Sequence, residues 1–286
     1  MAPREARPVA GRVVAVTGAA RGIGRATAAA LVAQGARVGI GDLDAALARS
    51  TADELGGGAV AFELDVTDRQ SFESFLDGVE RELGPLDVMV NNAGIVHLGP
   101  FADEDDASTR RMVDVNLLGV ITGTRLALTR LRPGGHLVNV ASSAGKITPP
   151  GIATYTATKH AVVGLTEAVR LEHRGRGIEF SIVMPGVVNT EMIAGYAQGR
   201  FVANVEPEDV AEAIVDALRH PRVEVYVPKS LGPLLRLQRM LPRPVREALD
   251  RALKVDSITW NADPAARTAY EARAAASDPG VPPGHD

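Results

Sequence analysis

Short runs rich in valine and isoleucine alternate along the chain with longer stretches of helical period, and this alternation predicts parallel β–α–β units rather than a sandwich. Seven strands are expected, at 13–16, 37–40, 59–62, 86–90, 136–140, 178–184 and 223–227. Several are apolar nearly throughout, as strands covered by helices on both faces must be. Helical stretches between them include 23–34, 69–83, 109–131, 154–173 and 207–219. Right-handed crossovers then give an α/β fold with a doubly wound parallel sheet.

The alternation stops near Pro228. Residues 229–254 are rich in leucine and carry Lys229, Arg236, Arg239, Arg243, Arg246, Arg251 and Lys254 against only Glu247 and Asp250. Pro233, Pro242 and Pro244 limit this stretch to short helices. The pattern therefore divides the chain into an α/β unit over 1–228, a helical extension over 229–273 and an Ala-, Pro- and Gly-rich end over 274–286, expected to be disordered.

Composition narrows the function classes. The 286 residues carry a net charge of −4, so there is no global field for nucleic acid. Only 4% are aromatic, which argues against stacking platforms for single strands. The absence of cysteine removes disulfides, thiolate metal sites and a cysteine nucleophile. No run of 18 apolar residues suggests a membrane span, and no apolar run near Met1 suggests a secretory signal, so a cytoplasmic location is expected.

Directly after the first strand stands Thr17-Gly18-Ala19-Ala20-Arg21-Gly22-Ile23-Gly24, opening the first helix. Glycines at 18, 22 and 24 allow a sharp turn, close approach of backbone to a pyrophosphate, and close packing of helix on sheet. The helix N-terminus offers free N–H groups and a positive dipole end to phosphates. Asp42 ends the second strand 18 residues after Gly24, where a dinucleotide fold places an acid on the adenosine ribose. A carboxylate there repels a 2′-phosphate and favours NAD over NADP, and Leu43 rather than a basic residue follows it. Arg21 points the other way, since it could pair with that phosphate. The plain alternative for Asp42 is a helix N-cap before Leu43-Asp44-Ala45.

Further motifs follow in order: Asp65-Val66 after the third strand, Asn91-Asn92-Ala93-Gly94 after the fourth, Asn116 in the next long helix, Ser142 after the fifth strand, Tyr155-Thr-Ala-Thr-Lys159, then Pro185-Gly186 with Val188 and Thr190. With the spaced glycines, this set resembles the short-chain dehydrogenase/reductase family in its compact single-domain branch, over residues 11–228. The resemblance implies a Rossmann-type seven-stranded sheet with helices on both faces and hydride exchange between NAD and an alcohol or ketone, without a metal. It assigns Asn116, Ser142, Tyr155 and Lys159 to catalysis. It assigns Gly18, Arg21, Gly22, Ile23, Gly24, Asp42, Leu43, Asp65, Val66, Asn92, Ala93, Gly94, Tyr155, Lys159, Pro185, Gly186, Val188 and Thr190 to the cofactor. Within that set, Asp65-Val66 would hold the adenine, and Val188 and Thr190 the nicotinamide carboxamide. It also implies a homo-oligomer, dimer or tetramer, pairing the helices that carry Asn116 and Tyr155.

Chemistry accounts for these residue types. Tyr155 and Lys159, four apart, share one helix face. A free tyrosine has a pKa of about 10, and a neighbouring ammonium should favour the phenolate and bring it toward the range useful for proton transfer. In the family picture Tyr155 moves the substrate proton, Lys159 also bonds the nicotinamide ribose, and Asn116 holds a water in a proton relay. Ser142 fits the family spacing, 13 residues before Tyr155 and three before Gly145, and would steady the substrate oxygen. Ser143 fits neither spacing and reads as a polar loop residue. A buried structural amide is the alternative for Asn116. His97 has no second ligand at metal spacing and reads as a cleft-rim or structural histidine.

The segment after Pro185-Gly186 carries Met192, Ile193, Tyr196, Phe201 and Val202, with Arg200 as its main charge, and suggests a lipophilic substrate. A lid whose apolar residues merely pack is the alternative. In the extension, Leu231, Leu234, Leu235, Leu237, Met240 and Leu241 interleave with arginines. Packing on the domain or on a neighbouring subunit is favoured over contact with an anionic membrane. Two other functions stay open: an NADPH-dependent carbonyl reductase, and a catalytically silent NAD-sensing or scaffold protein.

Overall fold

A computed structural model describes residues 6–196, 204–252 and 264–275. The seven strands are β1 (Val13–Thr17), β2 (Arg37–Asp42), β3 (Ala59–Glu63), β4 (Val88–Asn91), β5 (His136–Val140), β6 (Glu179–Pro185) and β7 (Glu224–Val227). They form one sheet in the order β3-β2-β1-β4-β5-β6-β7, and every pairing is parallel. Each strand lies within one or two residues of its expected bounds. All five residues of β1 are buried, because neighbours flank it on both edges and helices cover both faces.

The helices are α1 (Gly22–Ala33), α2 (Ala45–Leu55), α3 (Arg69–Leu83), α4 (Asp106–Val113), α5 (Gly119–Leu128), α6 (Ala153–Glu172), α7 (Pro207–Arg219), α8 (Leu231–Met240), α9 (Arg243–Ala252) and α10 (Pro264–Ala275). Successive strand residues face opposite sides, so Val14 and Val16 join Leu31 of α1 and Ile214 of α7 in one core layer. Val13 and Ala15 join Phe72, Phe75 and Leu76 of α3 in the other. Ile182 and Met184 of β6 meet Val162 and Val163 of α6 in a third cluster.

Three features depart from the pattern. The helix expected over 109–131 is α4 and α5 joined by a π turn, Asp114–Leu118, which carries Asn116. Such turns widen a helix by one residue and cluster at functional sites. Pro233, Pro244 and Pro264 fall in the first turns of α8, α9 and α10, where a missing N–H is harmless. Ala274 and Ala275, expected in the disordered end, close α10 instead, and 276–286 lie outside the described residues. In α8, Leu235 is buried whereas Leu234, Leu237 and Met240 are exposed, so the domain covers only part of the leucine face. Among the described residues no helix is long and apolar enough to cross a membrane.

Candidate active site

The strand order reverses between β1 and β4, and parallel α/β sheets open a crevice at the carboxyl ends of the strands at that point. Here the crevice is a cavity of about 940 Å³. At one end lies the glycine turn. Gly18 has φ +61°, and a β-carbon there would stand 2.9 Å from Ala93 Cα. At Gly24 it would stand 2.1 Å from the Gly18 carbonyl oxygen, so no side chain fits beneath the turn. Asp44, Asp68 and Asp105 cap α2, α3 and α4 with their carboxylates, but no side chain caps α1. The one helix start facing the glycine turn thus keeps its amides for an anion.

Asp42 accepts hydrogen bonds from Ala20 N (3.0 Å) and Asp44 N (3.1 Å), which fix its carboxylate at the cavity wall. It is not the N-cap of α2; Asp44 is, accepting from Leu47 N at 3.0 Å. Arg21 is committed to Asp44 at 2.8 Å and reaches Glu191 at 3.7 Å. Leu43, Asp65, Val66, Gly22 and Ile23 complete this end. Asp65 also accepts from Thr67 N and Oγ1, closing the turn into α3.

The middle of the cavity is stitched together behind its wall. Asn92 donates to the carbonyls of Thr17 and Gly18, and Thr17 Oγ1 accepts from the amides of Asn92 and Ala93, locking the end of β4 to the glycine turn. Asn116 is fully buried; its Oδ1 accepts from Ile95 N and its Nδ2 donates to Ile95 O, both at 2.8 Å, and more weakly to Thr158 Oγ1 at 3.4 Å. Gly94 sits between this amide and Lys159, since a β-carbon there would lie 3.2 Å from Asn116 Oδ1 and 3.4 Å from Lys159 Nζ. Asn116 and Gly24 alone among the sequence-derived site residues do not line the cavity; both act from behind it.

At the far end stand Ser142, Tyr155 and Lys159. Ser142 opens a short 3₁₀ turn, Ser143–Gly145, and its hydroxyl accepts from Ala144 N at 3.1 Å. Helix α6 presents Tyr155 and Lys159 on one face, with Nζ 5.6 Å from the phenol ring centroid. Lys159 is 3% exposed and donates to the Val140 carbonyl at 3.1 Å. Burial lowers its pKa to about 8. Burial also raises the Tyr155 pKa, and hydrogen bonding to Ser142 pulls it partly back. The expectation that the ammonium brings the phenol down is not met in the protein by itself: loss of water around the phenolate is the largest influence, and the influence that opposes it comes from Ser142. Ser143 reaches the cavity too, but Ser142 is the serine that pulls on the phenol's pKa. Pro185, Gly186, Val188 and Thr190 also line the cavity.

Of the expected substrate segment, Met192, Ile193 and Tyr196 line the cavity, and Arg200, Phe201 and Val202 lie outside the described residues. Sequence reasoning missed the residues that face them from α10, Arg267, Tyr270 and Arg273, because no motif marks that helix. It also missed the carboxylate beside His97, Glu271 at 3.5 Å. Among the described residues no three metal-ligating side chains converge.

The model of the family described as short chain dehydrogenase matches residues 12–200. A probable oxidoreductase, EphD, of Mycobacterium tuberculosis is 34% identical over 259 residues, 82% of this chain and 44% of that protein. The chain thus spans less than half the length of the first curated relatives it matches. The 2-(S)-hydroxypropyl-CoM dehydrogenase 3 of Xanthobacter autotrophicus is 36% identical over 226 residues, 71% of this chain and 88% of that one. A dehydrogenase/reductase structure from Sinorhizobium meliloti superposes with TM-score 0.72 at 30% identity, covering 77% of this chain and 95% of the other. Together with the order of motifs along one cavity, these likenesses show that the chain belongs to the short-chain dehydrogenase family of oxidoreductases.

Proposed function

We propose that this protein is an NAD-dependent dehydrogenase acting on a secondary alcohol or its ketone, with a lipophilic body on the substrate. The observation that carries the reading is one cavity that joins an uncapped helix start and Asp42 at one end to Ser142, Tyr155 and Lys159 at the other. When bound, the nicotinamide supplies the hydride acceptor or donor, which no side chain can.

The chain's own residues do the rest. Gly18 and Gly22 let the backbone close on the phosphates, and the amides of α1 meet their charge. Asp42, already oriented by two backbone N–H groups, accepts from the adenosine ribose hydroxyls. Leu43, Asp65 and Val66 border the adenine, and Asn92 to Gly94 hold the middle. Pro185, Gly186, Val188 and Thr190 position the carboxamide. Lys159 donates to the nicotinamide ribose. Tyr155 takes the alcohol proton in oxidation and returns it in reduction, while Ser142 steadies the same oxygen. The Asn116 amide is committed to Ile95, so its part in a water-mediated relay falls to its backbone at the π turn.

The preference for NAD rests on Asp42 and on Arg21, whose guanidinium would have to leave Asp44 and Glu191 to meet a 2′-phosphate. Asp42→Asn keeps the oxygen that Ala20 N needs and removes the charge. NADPH should then bind at least ~10-fold more tightly, since a tenfold gain corresponds to about 1.4 kcal/mol. Fluorescence titration with NADH and NADPH checks this; wild-type protein that binds NADPH more tightly than NADH would instead support a carbonyl reductase.

Apolar side chains at the substrate end, among them Ile147, Ile152, Met192, Ile193 and Leu235, support the lipophilic substrate. The reading carries with it a cytoplasmic location and a homo-oligomer. Exposed Leu118 on the π turn and Leu171 on α6 support pairing through those helices.

A further inference from the structure

We propose that α10 forms a wall of the substrate chamber, that Arg267 is the positioning residue holding it there, and that Tyr270 sets the size of the apolar body admitted. The proposal rests on reading this end of the cavity as the substrate site.

Arg267 is 3% exposed, although it sits on the last described helix of the chain. Its Nη1 donates to the carbonyls of Met192 (2.9 Å) and Ala194 (3.1 Å), its Nη2 to Val96 O (3.3 Å) and its Nε to Glu271 (3.0 Å). The guanidinium also lies 4.8 Å from the Tyr270 ring centroid and 5.9 Å from that of Tyr196. A planar fork can bridge several carbonyls at once, which a point charge such as lysine cannot do as well. Met192 and Ala194 belong to the segment after β6, and Val96 to the segment after β4. One buried side chain therefore ties together the two loops that flank Tyr155.

Tyr270, one turn further along α10, accepts from Val96 N through its hydroxyl at 2.9 Å. Its polar end is thus engaged with backbone, and its ring packs with Val96, Ile152, Met192 and Tyr155 on the chamber side. Burial raises the pKa of both Tyr196 and Tyr270, so each offers a neutral aromatic surface. At the outer end of the helix, Arg273 donates to Glu191 at 2.6 Å, and Glu191 also faces Arg21 of the glycine turn. The segment after β6 is pinned to α10 at two points, and a ring from α10 fills the space a larger substrate would need.

Full-length Tyr270→Ala and Arg267→Met proteins test this, assayed with NAD and a series from 2-butanol through 2-octanol to 4-phenyl-2-butanol. For Tyr270→Ala, kcat/KM for 4-phenyl-2-butanol relative to 2-butanol should rise at least tenfold. For Arg267→Met, KM should rise at least tenfold across the series with kcat changing less. NADH affinity should stay within threefold in both. An unchanged size preference and KM, or NADH affinity falling in step with KM, overturns the proposal. If wild-type protein oxidises none of the alcohols and reduces none of their ketones, the lipophilic-alcohol reading fails on its own. Hydrogen exchange then decides the wall: Arg267→Met should speed exchange at least tenfold in 95–98 and 188–196 while sparing 13–24. Equal exchange in those segments, or acceleration everywhere, contradicts it.

Discussion

Replacing Tyr155 with phenylalanine should cut kcat by about 10³-fold, within the range a single positioned acid–base group supplies, while NADH binding stays within about threefold. The phenol hydroxyl is the only group removed. The ring keeps its place on α6 beside Lys159, and no neighbour is left with an unpaired charge. Because burial raises the pKa of the phenol, oxidation by wild-type protein should accelerate as pH rises toward the phenol's ionisation, and this dependence should vanish in the variant. Steady-state rates with NAD and a secondary alcohol, beside an NADH titration, separate the two effects. If Tyr155→Phe keeps more than a tenth of the wild-type rate, the proton passes by another route.

Lys159→Met should have opposite effects on turnover and stability. Burial lowers the Lys159 pKa from 10.5 to about 8, so the folded protein disfavours the ammonium. That difference corresponds to a penalty of about 3 kcal/mol. The penalty is complete below about pH 8, where folded and unfolded chains both carry the proton. It shrinks as pH rises toward 10.5, because only the unfolded chain stays protonated there, and it is gone above that. Methionine is nearly isosteric and leaves only the Val140 carbonyl without its donor, a loss of about 1 kcal/mol. The variant should therefore be more stable than wild type by roughly 1–2 kcal/mol at pH 7, with the gain lost by about pH 10. Its turnover should fall at least ~10²-fold, since in the proposed mechanism the ammonium serves both the ribose and the Tyr155 proton. Denaturant melts at pH 7 and pH 10 beside rate measurements check both; lower stability at pH 7 would mean that the cation stabilises the fold. Stability held back by a functional group is a common feature of active sites.

The seven strands were legible because each is a β-branched apolar run too short for a helix, flanked by glycine or polar turns. The shared placement of the glycine turn, Asp42 and the Tyr155–Lys159 pair along one cavity was legible because it depends on spacing within one element or its immediate junction. Asn116 was visible as a residue but not as a π turn, since an extra residue per turn leaves the helical pattern of 109–131 almost unchanged. The raised pKa of Tyr155 was not legible either: it follows from burial in a cluster that includes Tyr270 of α10 and Met192 after β6, both distant in sequence. For the same reason nothing marked Arg267, whose partners Met192 and Val96 lie 75 and 171 residues away. The extension stood out as a basic, leucine-rich stretch at 229–254, yet its residue that clusters with Tyr155, Tyr270, comes from the later helix, whose composition is unremarkable.

The most direct test of the account is isotopic. Full-length protein is incubated with NAD and a set of lipophilic secondary alcohols deuterated at the carbinol carbon, and the reduced cofactor is isolated for mass spectrometry. Direct transfer predicts one deuterium on every NADH formed, with NADH appearing about 10³-fold more slowly when Tyr155→Phe protein is used. NADH without deuterium, or no NADH from any of the alcohols, would contradict it.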